Sequence, residues 1–203
     1  MNYDNRSVSI GPLELGYRIE GEGPLTVLLL HGLRSHSGTW RRIIPGLSKD
    51  ATVVAPSLPS RMGDATPELA ELYALQVSAV CADSGVSRAV VVGNSMGGWV
   101  AMRLLTKHRN LVSAVVLEDT AGSGSEEARA LERSRIPVLI LWGESDRVLP
   151  VSLGRELHSR LSRSELRVIR GAGHVPHWET PEAFSGVLGE FLGRHARLST
   201  LSR

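Results

Sequence analysis

A serine with glycines two positions before and two positions after it, Gly93-Asn94-Ser95-Met96-Gly97, follows the apolar run Ala89 to Val92 and precedes the helical pattern Trp99 to His108. A serine hydroxyl is a weak nucleophile at neutral pH. It needs a base within hydrogen-bond reach and a third group to orient that base. A strand-turn-helix setting suits this task. The turn is so tight that the flanking positions must be small, it lifts the hydroxyl above the sheet, and it aims the unpaired N–H groups and dipole of a helix N-terminus at developing negative charge. Gly93 and Gly97 meet the size requirement. Two later apolar runs end in candidate partners: Val138 to Trp142 leads into Gly143-Glu144-Ser145-Asp146, and Leu166 to Ile169 leads into Arg170-Gly171-Ala172-Gly173-His174. Ser95 as nucleophile, Asp146 as orienting acid and His174 as base stand in the chain order this arrangement requires. The chemistry is acyl transfer through a covalent intermediate. It calls for no metal and no organic cofactor, and the sequence has neither a Cys/His ligand cluster nor the lysine and spacing of a Walker loop.

The elements that must position these residues are legible as alternating patterns. Thr26 to Leu30, Thr52 to Ala55, Ala89 to Val92, Ala114 to Leu117, Val138 to Trp142 and Leu166 to Ile169 read as buried parallel strands. Between them run helical spacings such as Phe184, Val187, Leu188, Phe191 and Leu192. Thr180-Pro181-Glu182 and Thr66-Pro67-Glu68 carry the start signal of a helix: a capping hydroxyl, a proline suited to the first turn and an acid at the positive end of the dipole. Gly85 closes the second of these helices. Leu13, Leu15, Tyr17 and Ile19 alternate and predict an antiparallel edge strand. The whole implies a mostly parallel central sheet with helices on both faces. No linker divides it, so one domain over residues 1–203 is expected.

Composition narrows the class. A chain of 203 residues, 42% hydrophobic and 22% charged, can bury a core without disulfides or metal staples. No run approaches the length of a membrane span. The opening MNYDNRSVSIG lacks the apolar stretch of a signal peptide, which predicts a cytoplasmic protein. Cys81, the single cysteine, falls in a helical pattern and reads as a structural thiol. The formal net charge is only +2, and the arginines are scattered, so a nucleic-acid partner is not expected. Oligomeric state is not encoded in any of these signals.

Four segments, His31-Gly32, Gly93 to Gly98, Trp142-Gly143-Glu144-Ser145-Asp146 and Gly171 to Glu182, resemble the α/β-hydrolase superfamily, especially its esterase and carbon-carbon-hydrolase branches. The resemblance covers nearly the whole chain. It implies an oxyanion hole formed by the backbone N–H groups of Leu33 and Met96, with His31 shaping the loop rather than reacting. Two such fixed donors are worth about 3 kcal/mol each in enzymes of this kind. Asp119, ending the strand before, could orient the histidine instead, although the match around Asp146 is closer. Glu144 reads as a rim residue, and His177 as a residue packed or hydrogen-bonded near the site. Trp40, Trp99, Trp142 and Trp178 read as core or pocket-wall residues.

Two departures from the family pattern bear on substrate. Relatives often insert a helical cap where this chain has only residues 120–137, with room for one short helix over Glu126 to Arg135, so a nearly capless, open site is expected. Where the family often shows an acidic residue and a Leu-Pro-Gly-His-Gly turn, this chain has Pro56-Ser57-Leu58-Pro59-Ser60-Arg61-Met62-Gly63-Asp64. Arg34, His36, Arg61 and Arg147 then either form a cationic mouth for an acidic or carrier-linked acyl substrate or make up a solvated rim. The expected activity is serine-dependent cleavage of an ester, thioester or similar activated carbonyl in a small-molecule acyl substrate, rising with pH as His174 loses its proton around the reference value of about 6.5. The same three residues could instead serve carbon-carbon hydrolysis, elimination or acyl transfer, or the fold could bind a ligand without turnover.

Overall fold

Strands that are apolar at every position can face water on neither side, so they require a sheet covered twice. The computed structural model describes residues 4–59 and 63–200 and contains such a sheet. In chain order its elements are β1 (Asp4–Ile10), β2 (Leu13–Glu20), β3 (Leu25–Leu30), a 3-10 helix (Ser37–Arg42), α1 (Ile44–Leu47), β4 (Ala51–Pro56), α2 (Pro67–Asp83), β5 (Ala89–Asn94) and α3 (Met96–Lys107). A 3-10 turn (Arg109–Leu111) then leads to β6 (Val112–Glu118), α4 (Glu126–Arg133), β7 (Val138–Gly143), α5 (Val151–Arg160), β8 (Ser164–Ile169), α6 (Pro176–Glu179) and α7 (Pro181–Thr200). The sheet order is β1-β2-β4-β3-β5-β6-β7-β8, with β1, β2 and β4 paired antiparallel and the rest parallel.

Alternation within single strands sorts the core into two layers. Val27 and Leu29, Val90 and Val92, Ala114 and Val116, and Leu139 and Leu141 face one side, where they meet Trp40, Ile43, Ile44, Phe184, Leu188 and Phe191. Leu28 and Leu30, Val91, Val115 and Leu117, and Ile140 and Trp142 face the other, against Tyr73, Val77, Val100, Leu104 and Leu157. Each fully buried aliphatic side chain of this kind contributes roughly 1.5–3 kcal/mol relative to exposure. The six expected parallel strands all form. The expected edge strand does not lie at the edge: β2 is flanked by β1, whose polar residues Asp4 to Ser7 hide its pattern, while only Val8 and Ile10 lean on the core.

Helix ends follow the local chemistry in one case and depart from it in another. Thr66 accepts a hydrogen bond from Leu69 N at 3.2 Å and caps α2, and Gly85, at φ +73°, turns the chain out so that Val86 N reaches Cys81 O at 2.8 Å. Thr180 was expected to cap α7. Its hydroxyl instead donates to Pro176 O at 3.2 Å, the carbonyl that also accepts the Thr180 backbone N–H at 2.9 Å where α6 ends.

The connection from β6 to β7 carries only α4, which is bolted down. Glu127 accepts from Trp99 Nε1 at 2.9 Å and pairs with Arg103 at 2.6 Å, and Arg160 pairs with Glu132 at 3.2 Å while donating to the Ser123 carbonyl. Among the described residues, no helix is long and apolar enough to cross a membrane. Glu127→Ala would leave the Trp99 N–H without its acceptor and the Arg103 guanidinium with Glu71 alone, at 3.2 Å, so it should lower unfolding stability by about 1–3 kcal/mol in a urea titration. Glu126→Ala, on the same turn without these bonds, serves as the control.

Candidate active site

Ser95 begins the site as a backbone problem. It links β5 directly to α3 at φ 52° and ψ −114°, a conformation that costs a residue with a Cβ free energy and is kept only where the surroundings enforce it. They do so here. Ser95 N donates to Glu118 O at 2.9 Å, and Ser95 O accepts from Gly98 N at 3.0 Å and Ala121 N at 3.0 Å. A Cβ on Gly93 would collide with the Gly97 carbonyl, and one on Gly97 with the Leu30 carbonyl, so both positions admit glycine alone.

His174 is held from both sides. Glu179 accepts from Gly173 N at 2.8 Å and Val175 N at 2.9 Å, the two peptide groups flanking it, and Asn94 Nδ2 donates to His174 O at 3.0 Å. Its Nδ1 lies 2.7 Å from Asp146 Oδ2. The other Asp146 oxygen accepts from Val148 N at 2.7 Å and Leu149 N at 3.0 Å. Burial pushes the Asp146 carboxyl up, but the hydrogen bonds from His174 and Leu149, the neighbouring Asp119 and the bond from Val148 outweigh it and hold the group below the usual range.

Asp119, the competing acid, occupies a different role in this geometry. It is fully buried at φ 43°, with Oδ1 accepting from Gly143 N at 3.0 Å and Oδ2 without a hydrogen-bond partner among the described residues. Burial first, then the Glu118 charge and the proximity of Asp146, push it up to about 10. Like charges this close cannot both ionise, so Asp119 carries a proton and Asp146 the charge. Asp119, Asp146 and His174 are a group of potential metal ligands, their donor atoms within 4.8 Å of one another. The bonds to His174 and to two backbone N–H groups occupy the Asp146 oxygens a cation would need.

Ser95 and His174 both line a cavity of about 460 Å³ with Gly32, Leu33, Thr39 and Asn94. Among the described residues no hydrogen bond closes between the two side chains, as is common before substrate arrives. The Gly32 backbone packs beside Ser95: a Cβ there would lie 3.1 Å from Ser95 Cβ. Leu33 is therefore next to Ser95, and Met96 opens α3, where N–H groups have no intrahelical partner. His31 is buried and structural. Its Nε2 accepts from Leu58 N at 3.0 Å and its Nδ1 donates to Gly32 O at 2.8 Å, while burial, opposed by the Gly32 bond, holds its pKa below the usual histidine value.

The expected cationic mouth is partly assembled. Arg34, at φ 59°, and His36 line the cavity. Arg147 does not: the Asp146 side chain folds back onto Val148 and Leu149, and Arg147 is left exposed outside the lining. Arg61 lies outside the described residues. Arg41, which no sequence signal singled out, joins the wall with its guanidinium 4.3 Å from the centre of the Trp178 ring, and Arg42 packs on the same ring at 4.2 Å while donating to Trp178 O at 2.7 Å. Glu144 is exposed, in keeping with a rim position.

Residues 27–132 match the model of the alpha/beta hydrolase family, and residues 123–181 match that of the alpha/beta hydrolase fold. This chain belongs to the alpha/beta hydrolase family. Among solved structures, a "predicted CIB-like hydrolase" of Thermoplasma acidophilum is similar to this alpha/beta hydrolase at 25% identity and TM-score 0.83, over 95% of this chain and 98% of that one. An esterase of Thermogutta terrifontis superposes with TM-score 0.80 at 20% identity, over 96% of this chain and 99% of that one. A meta-cleavage product hydrolase of Pseudomonas fluorescens gives 0.81 at 19%, over 93% and 97%. These last two likenesses speak for the fold, which esterases and carbon-carbon hydrolases share.

The protonated Asp119 has a measurable signature. Its carboxyl ionises near 3.8 when unfolded and near 10 when folded, so between those values the folded chain holds the extra proton and stability falls as pH rises. Asp119→Asn keeps the acceptor for Gly143 N and removes the proton uptake. The melting-temperature difference should therefore move in the variant's favour from about pH 5 to about pH 9; parallel curves would contradict the assignment.

Proposed function

We propose that this hydrolase cleaves an ester, thioester or similarly activated carbonyl through an acyl-enzyme on Ser95. The observation that carries the reading is the 2.7 Å bond between His174 Nδ1 and Asp146 Oδ2, on a histidine that shares a cavity wall with a serine at a strained strand-to-helix turn. That bond assigns the His174 proton to Nδ1 and leaves Nε2 free to take one. In the proposed reaction Ser95 Oγ attacks the carbonyl carbon as its proton passes to His174 Nε2. The carbonyl oxygen, now an oxyanion, is met by the N–H groups of Leu33 and Met96. His174 then gives the proton to the leaving group as the bond to it breaks. Water attacks the acyl-enzyme with its proton going to His174, and the proton returns to Ser95 as the acid departs. Asp146 stabilises the imidazolium throughout.

Carbon-carbon hydrolysis, elimination or acyl transfer by the same residues is less favoured. These reactions gain from exclusion of water, whereas the β6–β7 connection here holds one short helix fastened to α3 and α5. Fluorophosphonate treatment should add one adduct by intact mass, and Ser95→Ala should abolish both the adduct and p-nitrophenyl ester hydrolysis, with kcat lower by at least about a thousandfold. Absence of adduct and turnover in the parent would favour a ligand-binding role.

Substrate charge is addressed by the wall. Arg34 and Arg41 form no ion pair among the described residues, and Glu179, the acid beside them, spends its oxygens on two backbone N–H groups. An acidic acyl substrate suits this imbalance. At low salt, the preference for a succinate monoester over the matched neutral ester should fall about fivefold in Arg41→Ala and also in Arg34→Ala, and should fade for the parent at high salt.

A further inference from the structure

The Ser95 reading leaves a second hydroxyl–imidazole–carboxylate chain on the same cavity unused. Glu118, at the end of β6, is 0% exposed. Its Oε1 accepts from the His177 backbone N–H at 2.8 Å, and the His177 ring Nδ1 lies 2.9 Å from Oε1 and 2.7 Å from Oε2. The His177 ring, also 0% exposed, is stacked on Trp40 with centroids 3.8 Å apart and meets Phe184 edge-on at 5.9 Å. Its Nε2 lies 2.9 Å from Thr39 Oγ1. Thr39 is only half-buried and lines the cavity with Ser95, Gly32 and Leu33.

Atom by atom, the proton positions follow. With Glu118 as the acceptor, the His177 proton is assigned to Nδ1. In that tautomer Nε2 presents a lone pair, and the Thr39 hydroxyl is assigned as its donor. The hydroxyl proton is thus directed away from the cavity, and the oxygen keeps acceptor capacity on the side that substrate occupies. Three packed side chains lock this orientation, which an exposed threonine in water would lack. Fixed hydrogen-bonding groups in an otherwise roomy pocket discriminate strongly, because a substrate without the matching group leaves them unpaired.

We infer that Thr39 is a specificity-determining acceptor, oriented by His177 and Glu118, that selects acyl substrates bearing a hydroxyl or amide N–H near the scissile carbonyl. The inference rests on the Ser95 reading for the position of that carbonyl, and its test does not require turnover. In the Ser95→Ala protein, dissociation constants are measured for p-nitrophenyl butyrate and for its 2-hydroxy, 3-hydroxy and 3-oxo analogues. At least one hydroxy ester should bind about fivefold to tenfold tighter than butyrate, and the 3-oxo ester, which cannot donate from that position, should not. Adding Thr39→Val should bring the hydroxy ester to within about twofold of butyrate, and Thr39→Ala should do the same, whereas Thr39→Ser should retain the preference. No hydroxy preference, a preference that survives Thr39→Val, or an equal gain from the 3-oxo ester would overturn the inference. Loss of the Ser95 adduct and hydrolysis in the parent would sink the mechanism instead, and the two failures are read in separate experiments.

Discussion

The turn at Ser95 sets the terms for everything around it. A non-glycine residue at φ 52° and ψ −114° relaxes unless its neighbours hold it, and those neighbours are drawn from distant parts of the chain. Gly93 and Gly97 remove the side chains that would collide, the Glu118 carbonyl receives the Ser95 N–H, and the Ala121 N–H returns to the Ser95 carbonyl. The β5–β6 register, with Asn94 opposite Glu118, brings the end of β6 to the turn. The same strand end then carries two buried acids with opposite duties.

Glu118 and Asp119 are adjacent in sequence and point their carboxyl groups into different networks. Glu118 holds His177 and, through it, Thr39 in the 3-10 helix that follows the Gly32-Leu33 loop. Asp119 stands behind Asp146 and His174. Two ionised carboxyls beside one histidine would repel each other, and burial resolves the conflict by keeping the proton on Asp119 while backbone N–H groups and His174 keep Asp146 charged. Polar groups in a dry setting are either fully satisfied or costly, so this cluster makes the site rigid. At the cavity wall Arg41 stacks on Trp178, and Arg42 packs on the same ring.

Much of this was legible in order along the chain. Six parallel strands, the start and end of α2, the glycine spacing around Ser95 and the sequence positions of Asp146 and His174 all follow from local patterns, because buried strands, helix caps and tight turns are short-range demands on residue type. Where local patterns misled, a long-range contact intervened. β1 conceals itself behind polar residues, since one face of a two-stranded edge can be wet. Thr180 closes α6, with its backbone N–H and its hydroxyl both on the Pro176 carbonyl. Arg147 stays exposed outside the cavity lining, in keeping with the solvated-rim alternative.

By itself, the sequence determined the doubly covered parallel sheet and the placing of the Ser95 turn, an acid and a histidine at strand ends, since periodicity and glycine spacing are enough to dictate them. Only the tertiary structure decided which of two acids is charged, that Arg41 joins Arg34 and His36 at the cavity wall, and that Thr39, His177 and Glu118 form one chain. Protonation depends on burial and on neighbouring charge, and side-chain partnership depends on which loops meet. Both are properties of residues far apart in sequence and a few ångströms apart in space.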